Sequence, residues 1–205
     1  VAALAGFGVS RLTSAGSVAG PAGPQTAESL PSIAILPLEN RSGRQEDAFF
    51  TDGIHDEVLT RLSKIRGLSV RGRTSVMQYR STTKPLTQIG EELNARFLLE
   101  GGVLRAGEQL RINVQLVDAQ ADEQLWGESF TRELSAANLL ELQSEIAQRI
   151  ASALQVELSP DERARIGAHH TDNLEAYEHY LKGKEYWARS QLERDRRLAL
   201  HMFRS

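Results

Sequence analysis

Cysteine is missing altogether from the 205 residues. That excludes disulfides, thiolate zinc sites, iron–sulfur clusters and a cysteine nucleophile, and leaves five histidines as the strong nitrogen ligands. It does not fix the compartment, since a cysteine-free chain suits oxidising and reducing surroundings alike. There is no GxxxxGK[ST] phosphate loop, no HExxH zinc helix, no GxSxG nucleophile turn and no kinase signature set. A large basic excess is lacking too: the formal net charge is -3, which argues against a dedicated nucleic-acid binder. With 40% apolar and 25% charged residues, the composition is that of an ordinary globular protein with one real core.

The amino-terminal residues 1–12 are apolar but too few to cross a bilayer, which takes roughly 20. They read either as a disordered apolar end or as the exit turn of a transmembrane helix that begins upstream, with a signal-peptide remnant as a third option. Residues 13–31 are rich in Gly, Pro, Ala and Ser, a composition that cannot offset its ordering entropy, so a flexible linker is expected.

From Ser32 the pattern changes. Ile33 to Leu36 read as a strand, 39–47 as a loop, and Phe50, Ile54, Val58, Leu62 and Ile65 as one face of a helix that Gly67 ends. Leu68 to Val70 then make a second strand, giving a βαβ unit with parallel strands. Two shorter helices are expected over 74–79 and 85–93. Beyond Phe97 the apolar Leu110, Ile112, Val114 and Leu116 alternate with polar residues, and turns at 106–108 and 119–122 complete an antiparallel meander of three strands. Gly101 and Gly102 within it suggest a bend or a close backbone approach. A helix over 138–154 should cover the sheet. Ser159-Pro160-Asp161-Glu162 signals a capped helix start, and two helices over 174–189 and 192–204 should form a hairpin. The fold class is therefore α/β (α+β): a mixed sheet from a βαβ unit and a three-strand meander, covered by helices and followed by an α-helical hairpin.

Two clusters invite chemistry. Asp52, His55 and Asp56 stand at i, i+3 and i+4 and could form a metal or acid/base site. The plainer reading, a solvated first helical turn whose acids favour the N-terminal dipole, is the stronger. His169-His170 with Asp172 reads as a polar hinge. The second cluster is basic: Arg61, Lys64, Arg66, Arg71, Arg73, Arg80 and Lys84 run without an acid between them. Such a stretch could meet phosphate, with Arg71 and Arg73 on one strand face, or be an ordinary charged surface balanced by acids elsewhere. Trp126 and Trp187 are expected to be packing residues.

Several segments together resemble the TolB amino-terminal-like (FlgO-like) domain: SIAILPLEN, FFTDGIHDEVLTRLSKIRGLSV, RTSV, IGEELNARFLLEGGVLRAGEQLRINVQLVDAQADEQLW and LQSEIAQRIASAL. The likeness covers roughly residues 32–158, and its one mild departure is Leu38 where the family has Phe. It implies an α/β domain on the periplasmic side of the bacterial inner membrane, between a transmembrane helix and helical repeats, with no catalytic residue to carry over. Upstream, that family often has a winged-helix regulator, a cyclase or a kinase. Residues 171–205 resemble the start of tetratricopeptide repeats through Gly183-x-x-Tyr186 and Ala199-x-x-x-Phe203, although His179 and Lys182 replace the usual Trp and Leu.

Four regions are thus expected: 1–12 the end of a membrane helix, 13–31 a linker, 32–158 the α/β domain and 159–205 the helical region. The function expected is a non-catalytic interaction or sensing module without cofactor or metal, whose partners are proteins met through the helical repeats. Contacts are expected at Asn40, Arg41 and Asp52, because the 39–47 loop leaves the carboxyl end of the first parallel strand. A nucleotide- or nucleic-acid-binding domain using Arg71, Arg73 and Arg80 is the alternative, and a hydrolase using Asp52 and His55 the third.

Overall fold

The computed structural model describes residues 30–168, 171–188 and 193–204. The expected membrane-helix end, nearly all of the linker, and His169-His170 lie outside them. The sheet has the order β3-β1-β4-β5-β6, from Ser69–Val70 (β3), Ser32–Ile35 (β1), Phe97–Ala106 (β4), Gln109–Asp118 (β5) and Glu123–Glu133 (β6), with Glu39–Asn40 (β2) also on β4. β1 pairs parallel with both β3 and β4, and β4, β5 and β6 are antiparallel. The mixed α/β sheet that the βαβ and alternation patterns predict is therefore present.

The loop expected over 39–47 is shorter than its polar composition suggests. β4 runs ten residues and leaves backbone groups unpaired beyond β1. Glu39 and Asn40 supply the pairing, opposite Gly102 and Val103. Ile35 faces Leu99 and Glu39 faces Gly102, so four steps on one strand match three on the other, a bulge centred on Pro37. Proline, without an N–H, is suited to that unpaired position.

Helix α1 spans Ala48–Leu62, entered through a 3-10 turn at Gln45–Asp47. It ends at Leu62 with Ser63 as cap, so Gly67 is not the terminator that the sequence suggested. A side chain at Gly67 would instead meet Val156, 2.6 Å from its Cγ1. Short helices α2 (Arg73–Met77) and α3 (Leu86–Leu93) precede β4, and α4 (Ala136–Ala153) follows β6 with Ser135 capping the Asn138 amide. Helix α5 (Pro160–Ile166) starts in the predicted capping box, and α6 (Leu174–Ala188) and α7 (Glu193–Arg204) form the predicted hairpin.

The two sheet faces are covered unequally. On one, Leu99, Val103, Ile112 and Leu116 pack under Ile54, Leu62, Leu142 and Ile146 of α1 and α4, all essentially inaccessible. Each such aliphatic chain contributes about 1.5–3 kcal/mol on burial. Ile166, Tyr177 and Leu181 of α5 and α6 belong to the same cluster. On the other face, α2, α3 and the segment between them shelter Ala34, Leu36, Leu98 and Ala119, using Val76, Tyr79, Ile89 and Leu93. Past them the face carries Glu100, Asn113, Gln115, Ser129 and Thr131.

Candidate functional site

Helix α1 does not begin where its acidic residues do, so Asp52 and Asp56 sit beyond its first turn and His55 is not solvated. His55 is 1% exposed, with Nε2 3.0 Å from the Ile35 carbonyl and Nδ1 3.3 Å from Asp56. Asp56 also binds Arg73 at 2.5 Å. Burial works to raise the Asp56 pKa, but the bonds from His55 and Arg73 outweigh it and hold the carboxyl below its ordinary value. Asp52 pairs with Arg80 at 2.7 Å, and Glu57 with Lys184 of α6 at 2.9 Å. These acids therefore tie α1 to the α2 segment and to α6. Among the described residues, no three His, Cys, Asp or Glu side chains are placed to hold a metal ion.

The basic stretch is dispersed by the same logic. Arg61, 3% exposed, donates to the Ile166 carbonyl at the end of α5. Lys64 reaches the Arg165 carbonyl at 3.3 Å, Arg71 the Asn94 carbonyl, and Lys84 the Glu92 carboxylate at 2.7 Å. Arg71 and Arg73 do not share a strand face, because β3 stops at Val70 and Arg73 opens α2. Of the six predicted contact residues, Asp52, Arg73 and Arg80 meet around a depression between α1, α2 and α6. Asn40 organises its own loop, accepting from the Ser42 amide and donating to the Arg44 carbonyl. Arg41 alone reaches the open sheet face, where it lies over Gly102 and pairs with Glu39 at 2.8 Å.

There Arg41 borders a cleft of about 380 Å³. Glu100, Asn113 and Gln115 form its floor, Pro37 and Glu39 one wall, and the Tyr79–Lys84 segment the other. Hydrogen bonds from Lys84 and Tyr79 fix that second wall to α3 and hold the Glu92 carboxyl down at about 2. Sequence reasoning missed Glu100, Asn113, Gln115 and Lys84 as neighbours. The alternation does turn Asn113 and Gln115 outward, but nothing local shows that the α2–α3 connection folds over them.

The α6–α7 hairpin is the second exposed feature. Leu181 packs on Gly53, where a β-carbon would stand 2.7 Å from its methyl groups, and the Tyr177 hydroxyl accepts from Gln143 at 2.9 Å. Its outward side shows Tyr180, Trp187, Leu200 and Phe203, each more than two-fifths exposed. Trp187, expected to be a packing residue, is 57% exposed, whereas Trp126 does lie against the main core.

Three comparisons bear on identity. A Rhizobium meliloti (strain 1021) protein named "Putative adenylate cyclase 3" is 35% identical over 162 residues, 79% of this chain. The chain spans 27% of that relative's length. Among solved structures, lipoprotein GNA1162 from Neisseria meningitidis superposes with a TM-score of 0.46 and 20% identity over 59% of this chain and 96% of its own. TolB from Acinetobacter baumannii gives 0.44 and 17% over 62% of this chain and 29% of its own. Residues 28–149, covering the whole sheet and most of α4, match the model of the HilA/YgeH-like transcriptional regulator second domain, and the chain belongs to that family.

Proposed function

We propose that this chain is a non-catalytic protein-interaction and sensing module of a larger bacterial regulatory protein, facing the periplasm and anchored by an upstream membrane helix. The observation that carries the interaction role is the apolar outer side of the α6–α7 hairpin. Tyr180, Trp187, Leu200 and Phe203 are exposed there, the Tyr180 and Phe203 rings 6.3 Å apart, and exposed apolar side chains of this kind mark contact surfaces. α6 is held to the α/β domain by Leu181 on Gly53 and by the Glu57–Lys184 pair, so what binds the hairpin is mechanically joined to the sheet. A regulatory family and a cyclase-named relative of which this chain is a 27% share support a module that serves different output domains. On this reading residues 32–158 form the platform and 159–205 begin tetratricopeptide-like repeats.

The nucleic-acid alternative has no specific observation in its favour, since Arg61, Arg71, Arg73, Arg80 and Lys84 each have a partner within the fold. The hydrolase reading needs an accessible imidazole, and His55 is buried.

A photo-crosslinking residue at position 187 or 200 of the full-length protein in cells tests the interaction role. Crosslinks to a second protein are expected there and not from position 88 on α3, and their absence at both hairpin positions would refute it. Orientation is tested separately. No helix among the described residues is long and apolar enough to cross a membrane. Alkaline phosphatase fused after residue 204 in the full-length context should be active if the module faces the periplasm, and inactive if it does not.

A further inference from the structure

The cleft on the open sheet face holds opposite charges that the fold leaves only partly used. The Glu100 carboxylate on its floor receives a hydrogen bond from the Gln115 side chain, and among the described residues no cation pairs with it. Arg41 binds Glu39 through Nε and Nη2, which leaves Nη1 for another acceptor. Asn113, on the cleft floor, accepts from the Ser129 hydroxyl through its side-chain oxygen, and among the described residues its amide N–H groups have no hydrogen-bond acceptor. At the rim, Ser81 has φ 54°, a left-handed conformation that is unfavourable for a non-glycine residue and that clusters at ligand sites. Pro37 and Leu86 supply an apolar strip beside these groups.

An anion entering this space would meet Glu39 and Glu100, and a cation would meet Arg41 and Lys84. A molecule carrying both charges a few bonds apart satisfies each side at once. The volume, about 380 Å³, lies at the small end of ligand pockets and suits a compact molecule. We propose that the cleft binds a free α-amino acid, with the ammonium group on Glu100, the carboxylate on Arg41 Nη1, and the side chain along Pro37 and Leu86. The site is distinct from the α6–α7 face, and occupancy can be measured whether or not that face recruits a protein.

Titration of the chain with each of the common amino acids, followed by calorimetry and by amide chemical shifts, tests this. At least one amino acid is expected to bind, with shifts at residues 100, 113 and 115. Its decarboxylated amine and its deaminated acid should each bind at least about tenfold more weakly, because each keeps only one charge. Glu100→Gln should weaken the amino acid about tenfold; the neutral amide keeps an acceptor for Gln115, so the fold is retained. Arg41→Met should weaken it similarly, and Arg41→Lys should restore part of the loss. No binding up to about 10 mM overturns the proposal, as does equal binding of either one-charge analogue or undiminished binding in Glu100→Gln. A dipeptide that binds more tightly than its constituent amino acids overturns the assignment to a free amino acid.

Discussion

The two faces of the sheet have been given different tasks. One is buried beneath α1 and α4, with α5 and α6 closing its end, and its residues are nearly all aliphatic and inaccessible. The other is half covered by two short helices and turns polar beyond them. The difference teaches where the fold keeps its stability and where it can tolerate a cleft. Charged side chains on the thin face can be exchanged at modest cost, because they rest on strands whose position is already set from behind.

Substitutions matched across the sheet sharpen that contrast. Ile54 and Ile89 are both fully buried, one beneath each layer. Ile54→Ala should cost about 4 kcal/mol and Ile89→Ala about 2, since the eight-residue α3 can settle into the space and α1, held on several sides, cannot. Urea unfolding measures both, and equal losses would break the comparison.

The adjacent glycines of β4 give the next largest effect. A β-carbon on Gly101 would stand 2.1 Å from the Asn113 carbonyl oxygen, which is strand backbone and cannot yield without separating β4 from β5. On Gly102 it would stand 2.5 Å from Arg41 Nε, the movable end of a long side chain. Gly101→Ala should therefore destabilise by about 3 kcal/mol and Gly102→Ala by less than about 1, the latter shifting Arg41 in the cleft. Thermal melts of the pair check the ranking.

Smaller again is the cap of α5. Ser159→Ala removes the side chain that accepts the Glu162 amide and should cost about 1 kcal/mol in the same melts.

The mildest effects are those of pH. Bonds from Lys84 and Tyr79 hold Glu92 at about 2, and the Arg66 and Ser159 groups hold Glu162 at about 2, against an ordinary 4.5. A carboxyl lowered by folding stabilises above its unfolded value, and that contribution is lost as pH falls through the folded one. Stability should thus decline between about pH 4.5 and 2, and Glu92→Gln or Glu162→Gln should each flatten part of the slope. Denaturation midpoints across that window test it. An unchanged slope in Glu92→Gln would show that this carboxylate does not fasten the cleft wall.

Much of the fold was legible in local pattern. The alternation from Leu110 to Leu116 gave a strand with one buried face, the glycine pair gave a close approach, and Ser159 to Glu162 gave a capped start. What the pattern could not show were partners far away in sequence. Arg61 binds a carbonyl 105 residues along the chain, and Arg73 and Arg80 answer acids on α1, so a basic run became a set of separate fasteners. The 3-10 turn ahead of α1 moved the helix start before Asp52, and His55 thereby became a core residue. The cleft was hidden for the same reason: its lining draws on Arg41, Lys84 and Glu100, which no local period connects.

The bulge at Pro37 has a consequence for orientation. Side chains along a strand alternate sides, so one extra residue reverses the phase of everything after it. Ile35 points into the thick layer, and strict alternation would send Pro37, Glu39 and Arg41 after it. Leu38 takes that direction instead, 3% exposed in the same cluster, and Glu39 and Arg41 emerge on the open side. Pairing the same residues without the bulge would turn two charges into the aliphatic interior and Leu38 out to water. The parity of one strand thus decides whether this family member has a cleft at all.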